Sequence, residues 1–295
     1  MAQRPQVTML RSSMLCRLGS FALIVFAGLA VAQAPSRQIS AAQAQQLEAA
    51  LQSNPNDRTA RSALLDYYFI NPRLDPAEAI PARRRHILWL IENTPADKLA
   101  GSPAATIDAA GHRLADPQGF RLASNAWRAQ TARQDIDAAA LVNAAYFFKL
   151  SDKGFTISLL ERALTQEPAN KEIGARLGDE YALAIMGVTM LNQNGFPLGA
   201  DPSQTQSVLA KQAREALNTL RNPYVLAKAG YMLSFQGAIL RGAGKLAFDT
   251  APLAESTLQR AVSLAPGDPD VANYLEQHHA IQREIQAAAG ARRAR

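Results

Sequence analysis

The chain is predicted to be all-α: about five irregular helix pairs closed by a C-terminal capping helix. Three observations carry that expectation. No convincing stretch alternates apolar and polar residues as a half-buried strand does. Apolar residues recur instead at helical spacing, in segments of roughly 12–20 residues rich in Ala, Leu and Gln. Prolines and Asn-Pro, Pro-Gly and Asp-Pro pairs stand between those segments. Proline breaks the hydrogen-bond ladder of a helix interior but is welcome in its first turn, so such pairs mark helix boundaries.

The elements follow in order. Leu47, Ala50 and Pro55 mark a first helix stopped by proline. Leu64 and Tyr68 lie on the next one. Its partner is expected at 81–95, with Pro81 in the first position, an apolar face of Ile87, Leu88, Leu90 and Ile91, and Pro95 as the stop. Residues 103–133 read as a degenerate pair broken at Asp116-Pro117. A clear pair occupies 137–170. A longer helix is expected at 172–193, then a Gly/Pro-rich loop at 194–204 and helices at 205–221 and 223–241. After a loop at 242–252, Leu258, Ala261 and Pro266 repeat the proline-stopped pattern on a helix at 253–264. An amphipathic helix at 269–288 caps the stack.

The window 137–170, DAAALVNAAYFFKLSDKGFTISLLERALTQEPAN, is the most informative stretch. Its small and large apolar residues fall at fixed places on two helices. Ala144 and Phe147 occupy positions 8 and 11, Thr156, Leu160 and Ala163 positions 20, 24 and 27, and Pro168 position 32. Leu177, Gly178 and Tyr181 continue the register at positions 7, 8 and 11 of a following unit that begins at 171. This arrangement resembles the 34-residue tetratricopeptide (TPR) repeat. The departures are Ala140 at position 4, Asn143 at position 7 and Thr156 at position 20. The resemblance implies one continuous right-handed superhelix over 33–290, since each pair buries its apolar face only against a neighbour.

The two ends have a different character. Residues 1–20 hold Arg4, Arg11 and Arg17 and no acid; an apolar run, FALIVFAGLAV, follows at 21–31. Ala30-Val31-Ala32 then supplies a small-residue cleavage site, so 1–32 reads as a secretory signal peptide cut between Ala32 and Gln33. The run is short for a membrane span, and no stable insertion is expected after cleavage. A periplasmic or secreted location follows. The only cysteine, Cys16, lies in the leader, so disulfides have no part in the mature chain. Half of the net charge of +6 belongs to the leader, and the tail 291–295 holds three further arginines. The body is then close to neutral, which argues against a nucleic-acid surface.

Catalytic and metal-binding motifs are sparse. There are four histidines, His86, His112, His278 and His279, and no His-Glu-x-x-His. Gly242-Ala243-Gly244-Lys245 lacks the remaining residues of a phosphate loop, with Ile239 and Leu246 in their places. No Gly-x-Ser-x-Gly occurs. No catalytic residue, cofactor or metal ligand is therefore assigned. The resemblance implies that positions 2, 5, 9, 12 and 13 of the first helices line a concave, partner-binding groove. These include Asp66, Phe69 and Ile70; Leu141, Ala145, Phe148 and Lys149; and Ala175, Asp179 and Leu183. The lysine and asparagine with which some TPR domains clamp a peptide carboxylate are replaced by Leu141 and Ala145. The function expected is a non-catalytic scaffold holding a protein or peptide. The alternative is an all-helical enzyme or small-ligand carrier with 194–204 as a lid beside Phe196.

Overall fold

The computed structural model of the chain describes residues 39–191, 197–246 and 248–293. Eleven α-helices lie among them: α1 (Ala41–Ser53), α2 (Arg58–Ile70), α3 (Pro76–Asn93), α4 (Pro117–Thr131), α5 (Ala138–Phe148), α6 (Lys153–Gln166), α7 (Lys171–Ile185), α8 (Val208–Thr219), α9 (Pro223–Gly242), α10 (Ala251–Leu264) and α11 (Pro269–Arg293). A short antiparallel hairpin, β1 (Val188–Leu191) and β2 (Pro197–Ala200), follows α7. The fold is thus predominantly helical. The described residues belong to one compact unit. Residues 1–32, expected to form a cleaved leader, lie outside them, as do Phe196 and Arg295.

Most helices start the same way. Asp75, Asp116 and Asn222 each precede a proline and accept hydrogen bonds from amides of the first turn. Asp268 does the same ahead of Pro269, accepting from the amides of Asp270 and Val271. The carboxylate or amide oxygen satisfies an orphan N–H, and proline needs no acceptor there. Ser40 adds a reciprocal capping box with Gln43.

This capping moves several expected boundaries. Helix α3 begins at Pro76 behind Asp75, so Pro81 lies inside it and is not its first residue. The region 103–133 holds one α-helix, not a pair. Its first part is a 3-10 turn, Pro103–Ala105, and an irregular segment with Gly111 at φ 101°. Helix α7 stops at Ile185, well short of 193. Gly187 follows at φ 64°, a left-handed conformation that ends helices, and the β-branched Val188 and Thr189 turn the chain into the hairpin. The expectation of no strand fails at this one place. Helix α11 runs on past 288 to Arg293, into the expected tail.

Neighbouring helices pack in sequence: α1 on α2, α2 on α3, α3 on α4, and so on through α5, α6 and α7. Helix α8 packs on α7 and α10 on α9, while α7, α9 and α11 also pack directly on one another in that order. A main core runs from Leu65 through Trp127 and Phe148 to Val271, and a smaller cluster joins α1 and α2 around Leu51, Leu64 and Tyr67.

Two of the departures from the expected repeat pattern, Thr156 and Asn143, have local partners. Thr156 is buried, and its hydroxyl donates to the Asp152 carbonyl at 3.0 Å. Asn143 donates to the carbonyls of Pro95 and Asp97, both at 2.8 Å, and so fixes the turn after α3. Gly178 marks a close helix crossing. A Cβ there would lie 2.5 Å from the Val225 carbonyl oxygen and 2.9 Å from the Ala229 nitrogen. The helix that crosses closely is α9.

Two substitutions test this account by urea unfolding followed by circular dichroism. Gly178→Ala is expected to destabilise by at least about 1–3 kcal/mol, because backbone must move to admit the methyl. Asn143→Leu, which restores the usual residue of the repeat, is expected to cost about 1–3 kcal/mol through the lost carbonyl partners.

Candidate functional site

Helices α7, α9 and α11 each offer one row of side chains to a shared face. On α7 the row is Lys171, Ala175 and Asp179, spaced four residues apart and therefore stacked along one side. On α9 it is Tyr224, Lys228, Tyr231 and Phe235, and on α11 Asp270, Tyr274 and Gln277. A cavity of about 300 Å³ lies between them, lined by Lys171, Ala175, Tyr224, Lys228, Asp270 and Tyr274 among others. Its near end is tied down. Lys171 pairs with Asp268 at 2.7 Å and lies 4.9 Å from the centre of the Tyr224 ring, and the Tyr224 hydroxyl donates to Asp268 at 3.2 Å. Asn222 donates to the Pro168 carbonyl at 2.9 Å, which joins the proline-stopped end of α6 to the start of α9.

One turn further along, the Asp179 carboxylate stands 3.6 Å from the Lys228 ammonium. That distance is an ion pair and not a hydrogen bond. Asp179 Oδ1 is sealed from solvent and has no hydrogen-bond partner. Burial pushes the Asp179 carboxyl up to about 7; Lys228 draws it down by less. The same ammonium lies 5.4 Å from the Tyr231 ring centre and 5.8 Å from that of Tyr274. The two rings meet at 5.0 Å, and Tyr231 also stacks on Phe235 at 5.8 Å. Burial raises the Tyr231 phenol, with Tyr274 and Asp179 adding to the effect.

The residues expected to line a groove fall in four places. Ala175 and Asp179 belong to the face just described. Lys149 and Leu183 meet at a second cavity of about 300 Å³, between the end of α5 and the base of the hairpin. Leu183 is nevertheless buried, at 4% exposure, and Lys149 lies 4.0 Å from the ring centre of Tyr146. Leu141, Ala145 and Phe148 are core residues, at most 2% exposed; Phe148 packs edge-on against Phe147 and Phe155. They offer no surface to a partner. On α2, Asp66 is half-buried, and desolvation raises its carboxyl. Phe69 and Ile70 are exposed, with the Arg83 guanidinium 5.1 Å from the Phe69 ring centre.

Lys171, Lys228, Tyr224, Tyr231 and Tyr274 escaped the sequence reading. The signal was present in α9, where 224, 228, 231 and 235 follow helical spacing. The insertion after α7 broke the 34-residue register, so no repeat position could be carried onto α9.

Two buried histidines make polar ties. His278 receives or donates at Ser234 Oγ (2.8 Å) and meets Glu255 at 2.9 Å, so Ser, His and Glu stand in line. Ser234 is 1% exposed. His86 accepts from Arg61 at Nδ1 (3.1 Å) and donates from Nε2 to Glu48 (3.0 Å), the arrangement of a neutral ring. Burial holds both histidines below the usual range. Among the described residues no group of three or more His, Cys, Asp or Glu is placed to hold a metal ion. No described helix is long and apolar enough to cross a membrane.

No family model matches the chain. No curated protein matches its sequence either. The α7–α9–α11 face is therefore assessed on its own geometry.

The raised Asp179 carboxyl predicts a pH dependence. Its folded value of about 7 exceeds the ordinary 3.8. The folded chain thus favours the neutral acid, and the associated stability, complete below pH 3.8, is lost as pH rises through 7. Asp179→Asn is expected to raise the melting temperature at pH 8 by more than at pH 5. An equal or opposite change at the two pH values would refute the assignment.

Proposed function

We propose that the chain is an exported, non-catalytic scaffold. Its helix pairs stack in a TPR-like superhelix, and the face of α7, α9 and α11 holds a protein or peptide partner. The observation that carries this reading is the shared face itself. Three helices that pack on one another in order expose a continuous strip of aromatic, charged and small residues around a cavity. Aromatic anchors are among the side chains that interfaces favour. The chemistry is surface complementarity without a covalent step, in the manner of repeat proteins with extended binding faces. The resemblance of residues 137–170 to one TPR unit supports the same reading, as does the leader at 1–32 for delivery to the periplasm or outside the cell.

The basic residues support a protein partner over nucleic acid. In the run Arg83-Arg84-Arg85, Arg83 donates to the carbonyls of Ala104 and Thr106, Arg84 grips Asp116 with two bonds of 2.7 Å, and Arg85 pairs with Glu48. Each of the three thus has an acceptor within the fold, which supports the same choice. The cavity between α5 and the hairpin is where the alternative small-ligand carrier would hold its ligand. A small molecule that co-purifies there would favour that reading.

Affinity capture from the envelope fraction, read by mass spectrometry, tests the scaffold. Ala175→Arg fills the cavity and is expected to lower partner recovery by at least about tenfold, with the helical circular dichroism kept. Lys211→Ala, on the exposed side of α8, is expected to leave recovery unchanged. The opposite pattern would remove the α7–α9–α11 face from consideration.

A further inference from the structure

We propose that the corner formed by Asp179, Lys228, Tyr231 and Tyr274 recognises one arginine side chain of the partner, with Lys228 as the internal stand-in that the guanidinium displaces. The inference rests on the scaffold reading and specifies its partner.

Asp179 provides the first reason. Its Oδ1 has no donor and no water access, although the rest of the carboxylate is open to about a third. Such an acceptor is costly when left alone in a folded protein. A guanidinium presents a fork of N–H groups that serves both oxygens of a carboxylate together, which an ammonium does not.

Lys228 provides the second. Its ammonium stops 3.6 Å from Asp179 and hangs over two tyrosine faces at 5.4 and 5.8 Å. Those distances lie within the range of cation–π attraction, about 6 Å, yet no hydrogen bond fixes it. The place is therefore built for a cation and is occupied loosely by one. The flexible lysine stem lets the ammonium swing to solvent when a better cation arrives.

The surrounding charges supply the third. Lys171 is already matched by Asp268 and Asp270, at 2.7 and 3.6 Å. Glu180 is matched by Lys153 at 3.1 Å, and Arg176 by Glu172 at 2.8 Å. Once Lys228 leaves, Asp179 is the unmatched charge of the corner. An anionic ligand would have to compete with Asp179, Asp268 and Asp270 for the same two lysines. A carboxylate clamp is disfavoured here for that reason, independently of Leu141 and Ala145.

The test uses the full chain with ¹³C-labelled tyrosine. The probes are N-acetyl-arginine methylamide, its neutral isostere N-acetyl-citrulline methylamide, and acetate. The arginine probe is expected to shift the ring signals of Tyr231 and Tyr274, assigned through Tyr231→Phe and Tyr274→Phe, while citrulline and acetate leave them in place. Asp179→Asn is expected to weaken the arginine probe by at least about tenfold. Lys228→Gln is expected to tighten it several-fold, because the internal competitor is gone. Equal shifts from citrulline, no loss in Asp179→Asn, or weaker binding in Lys228→Gln would each overturn the proposal. Shifts from acetate alone would replace it with an anion site. If Ala175→Arg abolishes partner capture while arginine and citrulline bind alike, the scaffold stands and the arginine site falls. If arginine binds selectively while capture ignores Ala175→Arg, the scaffold reading falls instead.

Discussion

Helices α7 and α9 approach closely at Gly178, and the geometry of the candidate site follows from it. With hydrogen at the α-carbon, the Val225 carbonyl and the Ala229 amide nitrogen come within a distance that no side chain would permit. One residue on, Asp179 is brought against Lys228, which neighbours Ala229 in turn. Tyr231 and Tyr274 close over the ammonium because α9 also packs on α11. A wider separation of α7 and α9 would open Asp179 Oδ1 to water and lessen the burial that raises its carboxyl. The glycine thus acts on the electrostatics of a neighbour through backbone distance alone.

Arginine side chains also close helix ends in this fold. Helices end with carbonyls that have no partner inside the helix. Arg162 donates to the Thr131 carbonyl at the end of α4, and Arg260 reaches the carbonyls of Leu217 and Leu220 at the end of α8. Arg214 reaches the carbonyls of Thr205 and Ile185. Each cation lies at the negative end of a helix or turn, where its charge is favoured, and it ties one element to another.

Much of the helix order was legible in the sequence because caps and prolines act locally. Asn222-Pro223 and Asp268-Pro269 each announce a helix start, and both starts fall within a residue of the expected places. The errors arose where a local signal was read with the wrong sign. Pro81 suggested a start, but Asp75-Pro76 had already begun the helix. Gly187 was passed over inside an apolar run, although its left-handed backbone ends α7. The groove was less legible than the helices. Repeat positions assigned Phe148 to a surface, yet the stack of Phe147, Phe148 and Phe155 encloses it.

The helical class could be read along the chain, because caps, prolines and apolar spacing act between residues close together in it. Only the tertiary structure decided which side chains meet. Asp179 and Lys228 are far apart in sequence, and an insertion between them breaks the repeat register that would have related them. Their pairing depends on how closely two backbones pack, and on water leaving the gap between them. Neither quantity is written in the spacing of residues along one helix.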